Sequence, residues 1–235
     1  QLTNLNVEFP METSLIPLFE SQKASLRELD INTNQHGEVE FAINSMKLEK
    51  LIFHVPNVLT TLSKNTSIKE LHLFHNKSDT VLPSITQILE SCSSVVSLLI
   101  DINVQDNQAT VMLASRFLPN LKHLVIKKEF IDNAMLNFFN PFDSMESIEL
   151  RLHNDNIDAY LRLLTNCPNL KKLDINWKLQ LEGYHNTEPI SSIELQRVLE
   201  KVPNLEVLFV TRVFLINDEL IETLLKTKIR IFELT

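Results

Sequence analysis

One pattern recurs ten times along the chain: an apolar residue, two of any kind, a second apolar residue, one of any kind, and a third apolar residue. Its frames are Leu2/Leu5/Val7, Leu26/Leu29/Ile31, Leu48/Leu51/Phe53, Ile68/Leu71/Leu73, Val95/Leu98/Ile100, Leu121/Leu124/Ile126, Met145/Ile148/Leu150, Leu170/Leu173/Ile175, Leu205/Leu208/Val210 and Ile229/Phe232/Leu234. With 44% apolar residues in the chain, chance fills all thirty slots with a probability of roughly 10^-11 in a fixed register, so the repeat reflects the fold and not the composition. The second and third slots of a frame alternate inward on a short strand, and the segment that returns to the next frame must cover them. No single unit buries its own core, so the units must stack. Such a scaffold says little about function, which rests on residues outside the pattern.

Successive frames begin 24, 22, 20, 27, 26, 24, 25, 35 and 24 residues apart. Most return segments carry helical spacing, as in Ile85, Ile88 and Leu89, and more loosely in Tyr160, Leu161 and Leu164. Asn217, followed by Asp218 and Glu219, is a start signal for a helix running to Leu225. Helices are also predicted over Thr13 to Glu20, Asn107 to Phe117, Asp132 to Phe139 and Ser191 to Glu200, with Pro17 and Pro83 limiting where their helices begin. The segment between Phe53 and Ile68 has room for a turn or two at most.

This period and strand pattern resemble those of leucine-rich repeats over the whole chain. The resemblance implies an α/β solenoid, or horseshoe, of about ten repeats, with a parallel concave sheet and a mostly helical convex side. Residues 1–235 then form one domain, with an inserted loop at 178–189 inside the 35-residue step. Nine strand steps of about 4.8 Å give an inner arc of roughly 43 Å, enough for a protein partner. Both ends fall inside a repeat with no polar cap, which leads us to expect a piece of a larger protein.

A finer resemblance lies in Leu164-Thr165-Asn166-Cys167-Pro168-Asn169-Leu170-Lys171-Lys172-Leu173-Asp174-Ile175, echoed at Ser91-Cys92-Ser93, Leu118-Pro119-Asn120-Leu121 and Val202-Pro203-Asn204-Leu205. It is similar to the cysteine-containing repeats of F-box substrate receptors. In that subclass an Asn or Cys usually stands eight residues after the first slot; Asn34, Asn76 and Asn103 match, whereas Lys178 and Val213 do not. The chain has no F-box-like helical segment.

Composition narrows the function classes. Two glycines, Gly37 and Gly183, exclude a glycine-rich phosphate loop or dinucleotide fingerprint. A formal charge of −8 argues against non-specific binding to nucleic acid or anionic membranes. No apolar run approaches a membrane span, and no secretory leader is visible. Cys92 and Cys167 occupy the same place in their repeats and no disulfide cap is seen, so a reducing, intracellular location (cytoplasmic or nuclear) is expected. Asn65-Thr66-Ser67 and Asn76-Lys77-Ser78 are formal glycosylation sequons of a kind frequent by chance.

No nucleophile motif stands out, and the chain is read as non-enzymatic, with no cofactor and no metal. His54 and His72 are expected on adjacent strands with His75 just beyond. His72 and His75 are three apart, which on a strand sends them to opposite faces, so a shared metal would need an irregular backbone. Contact residues are instead expected on the concave face, at strand positions that alternate outward: Ile52, His54, His72, Phe74, Leu99, Asp101, His123, Val125, Lys127, Glu149, Arg151, Asp174, Trp177 and Phe209. Ile52, Phe74, Leu99 and Val125 make an apolar patch where a solvated sheet should be polar, which marks either a contact site or a surface covered by another part of the same protein. Glu8, Glu28, Asp30 and Glu70 make the first repeats acidic, and Lys127, Lys128, Arg151 and Lys172 make a basic strip further on, an asymmetry able to orient a partner. Lys127 and Arg151 on adjacent strands either hold a carboxylate or phosphorylated group, or pair with Glu149 and Asp174. Trp177, at the mouth of the insertion, either anchors a contact or fastens the loop.

These readings lead to an expected protein–protein interaction module. The F-box resemblance implies substrate recognition for ubiquitin ligation, with an adaptor bound through a segment outside this sequence. The alternatives are a scaffold or assembly subunit, and a repeat domain of a GTPase regulator or innate sensor.

Overall fold

In a computed structural model, the described residues are 2–7, 14–31, 36–56, 59, 62–75, 81–102, 104–127, 140–152, 157–177, 190–211, 213–214 and 216–234. Among them the chain runs β1 (Asn4–Val7), α1 (Ile16–Gln22), β2 (Glu28–Ile31), α2 (His36–Ser45), β3 (Lys50–His54), β4 (Glu70–Phe74), α3 (Leu82–Ser91), β5 (Ser97–Asp101), α4 (Val104–Phe117), β6 (His123–Ile126), β7 (Ser147–Leu152), α5 (Ile157–Thr165), β8 (Lys172–Trp177), β9 (Ile190–Ser191), α6 (Ser192–Lys201), β10 (Val207–Val210), β11 (Val213–Phe214), α7 (Asp218–Leu225) and β12 (Ile231–Leu234).

Ten of these strands form one all-parallel sheet in the order β1-β2-β3-β4-β5-β6-β7-β8-β10-β12, an α/β arrangement of solenoid type. The ten frames of the sequence pattern lie in register. Leu5, Leu29, Leu51, Leu71, Leu98, Leu124, Ile148, Leu173, Leu208 and Phe232 pair side by side across the sheet, as do the residues two further on. At every step the carbonyl just after the first slot accepts two backbone N–H groups from the next repeat. Lys122 O, for example, takes Glu146 N at 2.8 Å and Ser147 N at 2.9 Å. The same stitch at each step shows that the repeats share one geometry.

The core lies between the sheet and its return segments. All three apolar residues of the eight inner frames are buried, and against them lie Ile85, Ile88 and Leu89 of α3, Tyr160, Leu161 and Leu164 of α5, and Leu195, Val198 and Leu199 of α6. Each such side chain contributes about 1.5–3 kcal/mol by leaving water. The first and last frames have a neighbour on one side only; Leu2 stays exposed, and Leu5, Val7, Ile229, Phe232 and Leu234 are only partly buried. Among the described residues no helix is long and apolar enough to cross a membrane.

The helix starts follow their local chemistry. Ser191 and Glu194 form a reciprocal capping box at α6, and Asn217 Oδ1 accepts Leu220 N at 2.9 Å at α7. Pro17 and Pro83 sit within the first two positions of α1 and α3, where a missing N–H costs nothing. The residues before these two helices, Leu15 and Val81, have no capping side chain. A carboxylate from the following helix serves instead: Glu38 of α2 accepts Leu15 N at 3.2 Å, and Asp106 of α4 accepts Val81 N at 3.0 Å. Both acids are buried.

Two features were not read from the sequence. Helix α2 buries Val39, Ala42, Ile43 and, just past its end, Met46, at helical spacing and alongside the polar Glu38. The short β9 and β11 pair in a separate two-stranded parallel sheet beside the 35-residue step. The described residues between Phe53 and Ile68 form no helix; there Asn65 donates to Ile43 O at 2.8 Å and Met46 O at 3.1 Å. A glycan on Nδ2 would replace one of the two donated hydrogens. The predicted helix over 132–139, the insertion 178–189, Asn34, Asn76, Asn103 and Lys178 lie outside the described residues.

Candidate functional site

The face of the sheet away from the helices is built by strand parity. With the second and third frame positions turned into the core, the residue between them points outward, and register aligns these residues across strands. The central row reads Asn6, Asp30, Ile52, His72, Leu99, Val125, Glu149, Asp174, Phe209 and Glu233. Beside it, His54, Phe74 and Asp101 pair in a second row.

Ile52, Phe74, Leu99 and Val125 are each half-buried and lie on four consecutive strands. His72 stands between Ile52 and Leu99, and the His54 ring is tilted against that of Phe74 with centroids 5.9 Å apart. Phe209 is separate from this patch, with Glu149 and Asp174 intervening and Lys172 Nζ 5.3 Å from its ring centre. At one end of the patch a hollow of about 280 Å³ opens between Asn6, Asp30, Ile52, Phe53, His54, His72 and Phe74.

The charges on the face are largely organised in pairs. Glu70 Oε1 lies 2.5 Å from Lys50 Nζ and 2.8 Å from His72 Nε2. Burial works to raise the Glu70 carboxyl, but the hydrogen bond and charge of Lys50, with help from His72, hold it below its ordinary value. Lys127 is paired with Glu149 on the neighbouring strand, one of the two roles its position suggested. Asp174 titrates above its ordinary value, first because burial disfavours its charge and second because Glu149 repels it. The backbone of Arg151 pairs with Asn176 and that of Leu152 with Trp177; the Arg151 and Trp177 side chains, like Glu8 and Lys128, lie outside what is described.

Four histidines occupy three settings. His54 and His72 both titrate below 6.5, chiefly through burial, although Asp30 favours the charged form of each. His75 is buried with Nδ1 3.2 Å from Val55 O, on the opposite side of the sheet from His72, as their spacing predicts. His123 is exposed at the start of β6. Among the described residues no three His, Cys, Asp or Glu side chains are grouped to hold a metal ion. Cys92 and Cys167 are free and buried, and burial pushes both thiols up to about 12, so neither is a ready nucleophile.

Sequence reasoning overlooked Lys50. The available signal was parity, since the residue just before the second slot shares the outward face with the residue just after it, and this aligns Lys50 with Glu70. A larger hollow of about 580 Å³ lies where the strands begin, lined in part by Lys122, Asp143, Glu146, Asn169, Lys171 and Asn204. Several of its polar groups serve as seams between repeats: Lys122 pairs with Glu146, Asn169 donates to Asp143 O, and Asn204 donates to Pro168 O. These last two are the asparagines of the Pro-Asn-Leu turns, which gives that motif a stacking role. The sequence matches no protein-family model and none of the curated proteins with which it was compared.

Proposed function

We propose that the chain is a leucine-rich-repeat interaction module whose open sheet face binds a protein, without catalysis. The observation that supports this most is the half-buried row Ile52, His72, Leu99 and Val125 with Phe74 beside it, an apolar patch on the side of the sheet that no described helix covers. An apolar surface of this kind gains free energy when a partner removes it from water. The unequal charge along the face gives a partner one preferred orientation.

Within this class, the Cys167-Pro168-Asn169-Leu170 turn and its Pro-Asn-Leu echoes favour a substrate-recognition region of an F-box-type ubiquitin ligase subunit, joined to an adaptor through a segment outside this sequence. A scaffold subunit, or the repeat domain of a GTPase regulator or innate sensor, is the alternative. An intracellular setting suits two free buried thiols.

The test is affinity capture with the wild-type chain, Phe74→Asp, Leu99→Asp, and Ile193→Asp on the exposed side of α6. A protein retained by wild type and Ile193→Asp but lost from both face variants, with their thermal transitions nearly unchanged, is the expected result. Capture equal in all four overturns the reading.

A further inference from the structure

The hollow over Ile52 holds a hydrogen-bond acceptor whose identity the neighbouring charges fix. Lys50, 2.5 Å from Glu70, keeps that carboxyl ionised, so Glu70 accepts and cannot donate. His72 Nε2, 2.8 Å from Glu70 Oε1, must therefore carry the proton of the ring and donate it. Burial keeps this imidazole neutral at pH 7, which leaves Nδ1 as a bare acceptor. Nδ1 makes no hydrogen bond among the described residues, and the ring lines the hollow. Ile52 and the Phe74 ring, with His54 tilted against it at 5.9 Å, supply apolar and aromatic walls. Of the charges nearby, Lys50 is held by Glu70, and Asp30 and Asp101 each interact within the chain.

We infer that this hollow receives a tyrosine side chain of the protein partner, its ring against Ile52 and Phe74 and its hydroxyl donating to His72 Nδ1. This rests on the proposed interaction role and names the chemistry of the partner. A partner lying over the hollow takes Nδ1 from water, and an acceptor buried without a donor is costly, so a purely apolar side chain is disfavoured there. An ionised acid brings no donor. A cation must shed its water beside Lys50, whose charge already bears on His72. A phenol supplies a neutral donor at the tip of a flat ring, and that ring packs edge-to-face or offset against Phe74. The volume of about 280 Å³ lies just under the roughly 300–1,000 Å³ of small-molecule sites and suits a single ring. Glu70 is the positioning residue, since it selects the tautomer that leaves Nδ1 able to accept.

The first readout is the nitrogen NMR spectrum of the His72 ring in the wild-type chain at neutral pH, where a proton on Nε2 is expected; a proton on Nδ1 overturns the inference. The second is titration with p-cresol, followed at the Ile52 methyl and the His72 ring, with toluene, p-methylanisole and n-butylammonium as controls. Saturable shifts with p-cresol are expected, at an affinity about fivefold above that of toluene or p-methylanisole, and none with the cation. Glu70→Gln, which can itself donate to His72, and His72→Phe should each erase that preference while toluene binds as before. The absence of a saturable shift with p-cresol, or an equal response to toluene or n-butylammonium, overturns the inference. The wild-type comparison decides this even where a variant folds poorly. If p-cresol fails while Phe74→Asp still loses its captured protein, the inference falls and the interaction face stands. If p-cresol binds but capture ignores Phe74→Asp, the assignment of that phenol to a partner falls together with the proposed face.

Discussion

Leu98 and Leu99 are the same residue type one position apart, and the parity of β5 gives them opposite fates. Leu98 is fully buried against the helices, whereas Leu99 stands half-buried on the open face between His72 and Val125. Leu98→Ala leaves a cavity and should cost about 3 kcal/mol in urea unfolding. Leu99→Ala should cost under about 1 kcal/mol. Equal losses would mean that Leu99 belongs to the core. Inward and outward assignment was legible here because a two-residue period needs only the order of residues. The Lys50, Glu70 and His72 arrangement was less so, since it depends on which strands become neighbours as well as on parity.

Elements show the same division. The capping box of α6 and the Asn217 cap of α7 use residues within one short stretch, so their starts could be read directly. Helix α2 carries helical spacing in Val39, Ala42, Ile43 and Met46, but residue order does not show that Glu38 also turns inward, to Ser14 and Leu15 one repeat earlier. Asn65 carries the largest local responsibility. Besides its two donated bonds, its Oδ1 accepts from Ser67 N, Ser67 Oγ and Ile68 N, tying the return segment before β4 to the end of α2. Asn65→Ala should cost about 2–4 kcal/mol by stranding buried backbone groups. Asn65→Asp should cost at least as much, since it keeps the acceptors but turns an anion toward two carbonyls; urea denaturation of both variants checks this.

At the scale of the whole molecule, stacking makes the repeats interdependent, and acidification should reveal a weak point. His54 and His72 titrate below 6.5 in the folded chain, so as pH falls the unfolded chain takes up protons first. The stability they contribute is complete above 6.5 and is lost as pH falls through their folded values. The urea midpoint should therefore drop between about pH 7.5 and 5.5, and by less in the double variant His54→Gln/His72→Gln. Equal drops would place the sensitivity elsewhere. The Glu70 and Asp174 shifts act lower, around the carboxylate range, and in opposite directions.

The number of strands in the main sheet, their register and the side of each that faces the core were legible in residue order alone, because a repeated apolar spacing admits one stacking that turns every frame inward. Which charges pair across strands, how Leu15 and Val81 are capped from the next helix, and where the hollow beside Asp30 opens are visible in the folded chain alone. Those features depend on distances between residues some twenty positions apart, which the spacing of apolar residues does not encode.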